Sequence, residues 1–167
     1  MDAGAEGFYR ELDLLKALAA AGVRYLLIGR RACVLHGLPV DTFDYDLWVD
    51  PESSNLQSFL RVAEPFDLFP SVAPERLREV PFFHLENDTK VDVWKVREFL
   101  LATGERLVFA DAHARRVDVR DDARQLLIPI PDLSDLILLK RLGGRPKDLE
   151  DVKALQALLD QRRLGKA

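Results

Sequence analysis

The stretch YLLIGRRACVLHGLPVDTFDYDLWVD, residues 25–50, decides the fold of this chain. It is typical of an apolar strand ending at Gly29, a short helix, a turn, and a second strand that carries Asp44 and Asp46. Because successive side chains of a strand point to opposite faces, the two aspartates share one face, and Tyr45, Leu47 and Val49 share the other. Two carboxylates this close repel each other unless a cation lies between them. The pattern therefore predicts a site for a hard divalent cation, above all Mg²⁺, which prefers carboxylate oxygen.

The composition indicates an ordinary globular protein. The chain has 167 residues, which by length predicts a single domain (residues 1–167) with a sizeable core. Hydrophobic residues make up 48% of it, but no run is long enough to cross a bilayer, and the N-terminus lacks the pattern of a signal peptide. The single cysteine excludes an internal disulfide, so we expect a cytoplasmic protein with no membrane partner. A net charge of −4 argues against a protein that coats nucleic acid.

Outside the opening stretch, the spacing of apolar residues predicts an α+β architecture. A helix over residues 6–21 should precede the first strand, and Asp50-Pro51 is typical of the start of a helix that runs to about Ala63. The other predicted elements are a hairpin with its turn at Asn87-Asp88, a short helix or loop over 97–104, a hairpin around 121–123, and two helices joined at Gly143-Gly144. We expect a small mixed β-sheet flanked by helices, with a core over about 20–130 and a C-terminal helical pair over about 131–163.

A third carboxylate is predicted to complete the cation site. Asp92 alternates with Val91 and Val93 in a later apolar strand, so it faces away from both valines. If that strand lies beside the one carrying Asp44 and Asp46, three carboxylates converge. Such a triad can hold one or two Mg²⁺ ions and activate a hydroxyl for phosphoryl or nucleotidyl transfer. The Asp-x-Asp pair alone is a weak signal, because many exposed strands carry one.

The order of these features resembles the polymerase-β-like nucleotidyltransferases, and among them the small AbiEii-type and related bacterial proteins. The resemblance covers about residues 20–160, and its motifs together are far more specific than any one of them. The residues that carry it are Gly29-Arg30, then Asp44-Tyr45-Asp46 after thirteen residues, Asp92-Val93-Trp94, Lys140, and the run Arg145-x-Lys147-Asp148-x-x-Asp151.

The resemblance implies a role for each matching residue. Asp44 and Asp46 would bind the metal, and Asp92 would complete the metal site and take the acceptor's proton. All three count as catalytic. Gly29 would let the backbone approach a triphosphate, because a Cβ there would collide with it. The implied nucleotide-binding residues are Gly29, Arg30, Lys140 and Lys147, with Asp148 orienting one of the cations.

Arg30 departs from the family pattern, in which a second small residue follows the first glycine. Val40-Asp41 also stands where relatives often place an arginine. Two interpretations of Arg30 remain open. It restores a positive charge to the pocket, or it plugs the triphosphate site and leaves a folded but inactive relative.

The function implied by the resemblance is nucleotidyl transfer. With Mg²⁺ or Mn²⁺ as cofactor, the enzyme would move a nucleotide from a nucleoside triphosphate such as ATP to a hydroxyl of an RNA, a protein or a small molecule. A toxin-like role with a cognate antitoxin is also implied. The alternatives are an antibiotic-modifying enzyme and a catalytically inactive binding module. His84 and His113 lack metal-ligand spacing, so no zinc site is predicted, and Trp48 and Trp94 are expected in the core rather than against a base.

Overall fold

Six α-helices and nine strands lie within residues 3–86 and 90–165, the part of the chain that the computed structural model describes. Side chains are described from residue 11 onward. In chain order the elements are α1 (Ala3–Ala20), β1 (Tyr25–Ile28), α2 (Gly29–His36), β2 (Tyr45–Val49), α3 (Ser53–Ala63), β3 (Phe69–Pro70), β4 (Phe82–Glu86), β5 (Lys90–Trp94), β6 (Glu98–Leu100), β7 (Arg106–Val108), α4 (Phe109–Ala114), β8 (Val117–Asp121), β9 (Leu126–Ile130), α5 (Leu133–Gly143) and α6 (Pro146–Leu164). Short 3-10 turns lie at Glu64–Phe66 and Pro74–Arg76.

Five strands form one mixed sheet in the order β1-β2-β5-β4-β3. The central strands β2 and β5 run parallel, and the other neighbouring pairs are antiparallel. Parallel neighbours need a long crossover, and the chain between β2 and β5 supplies it with α3 and the strands β3 and β4. The predicted fold class, a small mixed sheet flanked by helices with a helical pair at the C-terminal end, is confirmed.

Each face of the sheet buries its own hydrophobic cluster. The larger cluster joins Leu27 of β1 and Leu47 of β2 to α1, α2, α3 and the C-terminal helices. The smaller cluster, on the other face, packs Leu26 and Trp48 against β7 and α4. Trp48 is fully buried and its indole N–H donates to the carbonyl of Val96 over 2.8 Å, as expected of a core residue. Asp46 lies on this second face, two residues before Trp48, so it faces away from the larger cluster.

The predicted start of α3 is wrong. The helix begins at Ser53, with Glu52 at its cap and without a side-chain capping bond. Asp50 instead accepts a hydrogen bond from the Arg24 guanidinium at 2.8 Å and one from the backbone N–H of Glu52 at 3.1 Å. Asp50 is therefore engaged by the long-range ion pair and by a local bond ahead of the helix, and it does not cap the first turn of α3.

The segment predicted as a short helix or loop over 97–104 contains strand β6, which pairs with β7. Phe99 of β6 packs its ring 4.8 Å from that of Trp48 and 5.7 Å from that of Trp94, and this tertiary contact draws the segment onto the sheet. The hairpin around 121–123 forms as β8 and β9, and β4 pairs with β5. The predicted turn at Asn87-Asp88 lies outside the described residues. No helix within 3–86 and 90–165 has the length and apolarity that a membrane-spanning segment needs.

Candidate active site

A cleft of about 450 Å³ opens on the face of the sheet that carries Asp46. Its polar lining consists of four carboxylates (Asp44, Asp46, Asp92 and Asp148), four cations (Arg30, Lys140, Arg145 and Lys147) and two glycines (Gly29 and Gly143), and its apolar lining consists of Ile28, Phe82, Trp94, Phe99, Leu136, Leu139 and Leu142. Every residue that the sequence predicted for the site lies in this one cleft, whereas the roles assigned to those residues remain predictions.

The carboxylates are brought together by strand pairing. Asp46 of β2 lies directly beside Asp92 of β5 in the parallel register. Asp44 precedes β2 and is exposed. Burial, the hydrogen bond to Asp92 and the charges of Asp92 and Asp44 together raise the pKa of Asp46 to about 7, although Lys140 opposes the shift. Asp46 is therefore protonated at moderately acid pH.

The donor set of this pair fits a hard divalent cation. Among the described residues, no three His, Cys, Asp or Glu side chains already lie at metal-ligand spacing. Asp46 and Asp92 instead lie side by side in the parallel register, and the charge of Asp92 helps to raise the pKa of Asp46. A divalent cation would screen the two carboxylates from each other, and carboxylate oxygens are the ligands that Mg²⁺ and Mn²⁺ take. Asp46 and Asp92 are thus the residues that would hold the ion, with Asp44 adjacent.

Gly29 makes room for Asp46. It has a φ of +70° at the first position of α2, and a Cβ added there would collide with Asp46 Oδ2 and lie 3.1 Å from Asp46 Cγ. We expected Gly29 to make room for a triphosphate, but the group that needs the space in this structure is the carboxylate. The first turn of α2, which no side chain caps, follows at once and has its N–H groups beside the cleft.

The Arg30 side chain is held against the wall of the cleft by two polar contacts. Its Nη2 lies 3.5 Å from Asp151 Oδ1 on α6, and its Nη1 donates to the carbonyl of Asp41 over 3.5 Å. The side chain is 26% exposed and lines the cleft, which keeps its volume of about 450 Å³ with the guanidinium in place. This geometry favours the interpretation in which Arg30 supplies charge over the one in which it plugs the site.

Lys140 belongs to a buried ionic network that joins α5 to α6. Its Nζ lies 2.9 Å from Asp151 Oδ2 and 3.4 Å from Asp148 Oδ1, and all three side chains are almost fully buried. Asp148 also accepts hydrogen bonds from the backbone N–H of Arg145 at 3.2 Å and from its Nε at 2.8 Å. Burial alone would raise the pKa of Asp148, but the bonds from Arg145 and the charge of Lys140 outweigh it and hold that pKa below its ordinary value. Lys140 is therefore a fixed charge, whereas Arg145 and Lys147 are exposed at the rim.

Solved structures of known proteins share this architecture. TM1012 of Thermotoga maritima, a candidate nucleotidyltransferase, aligns with a TM-score of 0.60 and 20% identity over 92% of this chain and 93% of that chain. The lincosamide antibiotic adenylyltransferase LnuA, in its lincomycin-bound structure, aligns with a TM-score of 0.59 and 18% identity over 92% of this chain and 96% of that chain. The chain has the nucleotidyltransferase fold. No known family profile matches the sequence, and no curated protein matches it. The likeness does not distinguish AbiEii-type proteins from other nucleotidyltransferases.

Within this nucleotidyltransferase fold, sequence reasoning missed the aromatic wall of the cleft. Trp94, expected in the core, is half-buried and lines the cleft. Its ring centroid lies 4.6 Å from that of Phe82 and 5.7 Å from that of Phe99, so three aromatic residues stand together beside Asp92. The alternation of β5 put Trp94 on the face of Asp92, which was the available signal, but Phe82 and Phe99 arrive only through strand pairing and tertiary packing.

His84 is the second group that sequence reasoning missed. It lacks metal-ligand spacing to the other histidines, as noted, yet it lies directly across β4 and β5 from Asp92. Its Nδ1 is 2.6 Å from Asp92 Oδ1. Finding this contact from the sequence would have required the register of the hairpin.

Proposed function

We propose that this protein is a Mg²⁺- or Mn²⁺-dependent nucleotidyltransferase that moves a nucleotide from a nucleoside triphosphate to a hydroxyl of an acceptor. The observation that carries the proposal is the pairing of Asp46 and Asp92 on adjacent parallel strands, next to Asp44, in a cleft that also holds four cations. The nucleotidyltransferase fold supports it.

In the proposed reaction the acceptor oxygen forms a bond to the α-phosphorus of the triphosphate. The bond from that phosphorus to the bridging oxygen breaks, and pyrophosphate leaves with the electron pair. The acceptor's proton passes to Asp92. A bound divalent cation would supply Lewis-acid stabilisation of the phosphate charge.

The residues of the cleft divide this work. Asp44, Asp46 and Asp92 would hold the cation, and the N–H groups of the first turn of α2 would donate to phosphate oxygen. Arg30 and the rim residue Lys147 would pair with phosphate charge. Lys140 is paired with two buried carboxylates. It would therefore act on the phosphate charge from a fixed position and would not contact the phosphate directly.

The apolar wall favours a small-molecule acceptor over an RNA or a protein. Phe82, Trp94 and Phe99 stand on the side of the cleft nearest Asp92, the residue that would take the acceptor's proton. Small-molecule sites are clefts of roughly 300–1,000 Å³, and this cleft of about 450 Å³, with its aromatic wall beside the charged residues, lies within that range. LnuA, an antibiotic adenylyltransferase of the same fold, is consistent with such an acceptor. The toxin-like role and an antitoxin partner rest on the sequence resemblance alone.

The test is a labelling experiment with fractionated acceptors. Wild-type protein is incubated with Mg²⁺, each α-³²P-labelled nucleoside triphosphate in turn, and either the small-molecule, the RNA or the protein fraction of a cell extract. We expect label in the small-molecule fraction. Asp46→Asn should lower the rate by more than roughly 100-fold, because losing a metal ligand removes several kcal/mol of transition-state stabilisation. The matched control is Asp41→Asn, an exposed aspartate that does not line the cleft.

Three other outcomes of this experiment would change the proposal. Label in the RNA or protein fraction would replace the small-molecule acceptor with a macromolecule. Binding of a nucleoside triphosphate without label in any fraction would identify an inactive binding module. A rate that is unchanged in both Asp44→Asn and Asp46→Asn would contradict the metal-dependent mechanism itself.

A further inference from the structure

His84 lies outside the lining of the cleft but touches the residue on which the chemistry depends. It pairs with Asp92 across β4 and β5, and its Nδ1 is 2.6 Å from Asp92 Oδ1. We propose that His84 is the positioning residue for Asp92, which orients that carboxylate for the divalent cation and for the acceptor's proton. The inference deepens the proposed function and rests on it.

His84 is held both through its backbone and through its ring. Its backbone N–H donates to Ser71 Oγ at 3.0 Å, and its carbonyl accepts from the N–H of Ser71 at 2.8 Å. The ring packs edge-on against Phe82, with centroids 4.8 Å apart and planes at 89°. A ring that is fixed in this way directs Nδ1 at one point, which is the property that a positioning residue needs.

The hydrogen bond between His84 and Asp92 makes the two carboxylate oxygens of Asp92 inequivalent. Oδ1 takes the bond to His84, with Lys90 Nζ at 3.6 Å as a second, largely exposed neighbour. When Asp92 is ionised its carboxylate only accepts hydrogen bonds, and Nδ1 of His84 then carries the proton. With Oδ1 occupied, Oδ2 is available for Asp46, the cation or the acceptor. Hydrogen-bond partners of metal ligands fix ligand orientation, and losing one typically weakens metal binding about 10–100-fold.

Two substitutions separate the hydrogen bond from mere space filling. His84→Leu removes the donor, whereas His84→Asn keeps an N–H group on the atom next to Cγ, where Nδ1 lies. His113→Leu, on α4 and outside the cleft, is the matched loss of a histidine. Mn²⁺ is titrated into each full-length protein without nucleotide, and binding is measured by electron paramagnetic resonance. We expect His84→Leu to bind Mn²⁺ about 10–100-fold more weakly than wild type, and His84→Asn and His113→Leu to bind within about threefold of it.

Equal Mn²⁺ affinity in wild type, His84→Leu and His84→Asn would overturn the proposal, and so would equal losses in both His84 variants. A wild-type protein that binds no Mn²⁺ would overturn the metal site of the proposed function as well, so the two failures are distinguishable. Should His84→Leu not fold, ¹⁵N NMR of the imidazole in wild type decides. A proton on Nδ1 that responds to Asp92→Asn supports the proposal, and a bare Nδ1 contradicts it.

Discussion

Gly29 is the single residue at which the backbone and the site constrain each other most directly. Its φ of +70° is nearly that of Gly22, at +69°, but only at Gly29 would a Cβ meet another group, the Asp46 carboxylate. At either position, an alanine in this left-handed conformation should lower the free energy of unfolding by about 1–2 kcal/mol. At Gly29 the collision should add roughly 1–3 kcal/mol, the usual cost of overpacking.

We therefore predict that Gly29→Ala lowers the free energy of unfolding more than Gly22→Ala, as measured by urea denaturation in chelator. The excess should largely disappear when Gly29→Ala is combined with Asp46→Ala, because the clashing carboxylate is then absent. Equal losses at the two glycines, or an excess that survives in the double variant, would show that Asp46 does not occupy this space.

Arg30 decides between the active and the inactive interpretation of the cleft. Because its guanidinium lies on the wall of the cleft beside Asp151, Arg30→Ala should weaken binding of a Mg²⁺–triphosphate complex by roughly 1–3 kcal/mol, the value of a charge-assisted contact. Isothermal titration of the variant against wild type measures this, with the exposed Arg61→Ala on α3 as control. A gain in affinity would instead identify Arg30 as a plug, and an unchanged affinity would remove it from the site.

Among the elements, α6 depends on Asp148 for both its start and its attachment to α5. Asp148 accepts the N–H of Arg145 at the cap and contacts the buried Lys140. Asp148→Ala should lower the free energy of unfolding by roughly 3–5 kcal/mol, because it leaves part of the Lys140 charge uncompensated in the interior. Asp160→Ala, which removes an exposed carboxylate further along α6, should cost less than about 0.5 kcal/mol. Similar losses in urea denaturation for the two variants would contradict a central role for the network.

The elements that the sequence predicted correctly are those with a strong local pattern. The strand–helix–strand unit from β1 to β2 follows from apolar alternation interrupted by Gly29 and closed by Gly37, and α5 and α6 follow from helical spacing and Pro146. By contrast, β6 and α4 depend on packing against Trp48, and the start of α3 on the ion pair of Asp50 with Arg24. Contacts between residues so distant in sequence leave no periodic signal.

The same division applies to the site. The carboxylates could be predicted because each lies on or beside a strand whose alternation fixes its face, and because their motifs resemble those of a known family. The partner of Gly29, the hydrogen bond of His84 and the aromatic wall could not, since each depends on strand register or on side-chain packing. Register is set by turn lengths and by the whole sheet rather than by the residues concerned.

For the molecule as a whole, the carboxylate pair in the cleft is a source of strain that a cation should relieve. The pKa of Asp46 is raised to about 7, so the folded state binds more protons than the unfolded state between about pH 4 and pH 7. The stability of the metal-free protein should therefore fall as pH rises through this range. Asp46→Asn does not titrate at this position, so in chelator its melting temperature should exceed that of wild type more at pH 8 than at pH 5.

The central claim, that these carboxylates form a divalent-metal site, is tested most directly by one set of thermal melts at pH 8. Wild type, Asp46→Asn and the control Asp41→Asn are melted in chelator and in millimolar Mg²⁺. In chelator we predict that Asp46→Asn melts above wild type by roughly 2–4 °C, corresponding to about 1 kcal/mol of relieved repulsion. In Mg²⁺ the order should reverse, because an ion that binds only the folded state stabilises wild type and Asp41→Asn by mass action. If Asp46→Asn is less stable than wild type in chelator and Mg²⁺ shifts none of the three proteins, the carboxylates are structural and the claim is wrong.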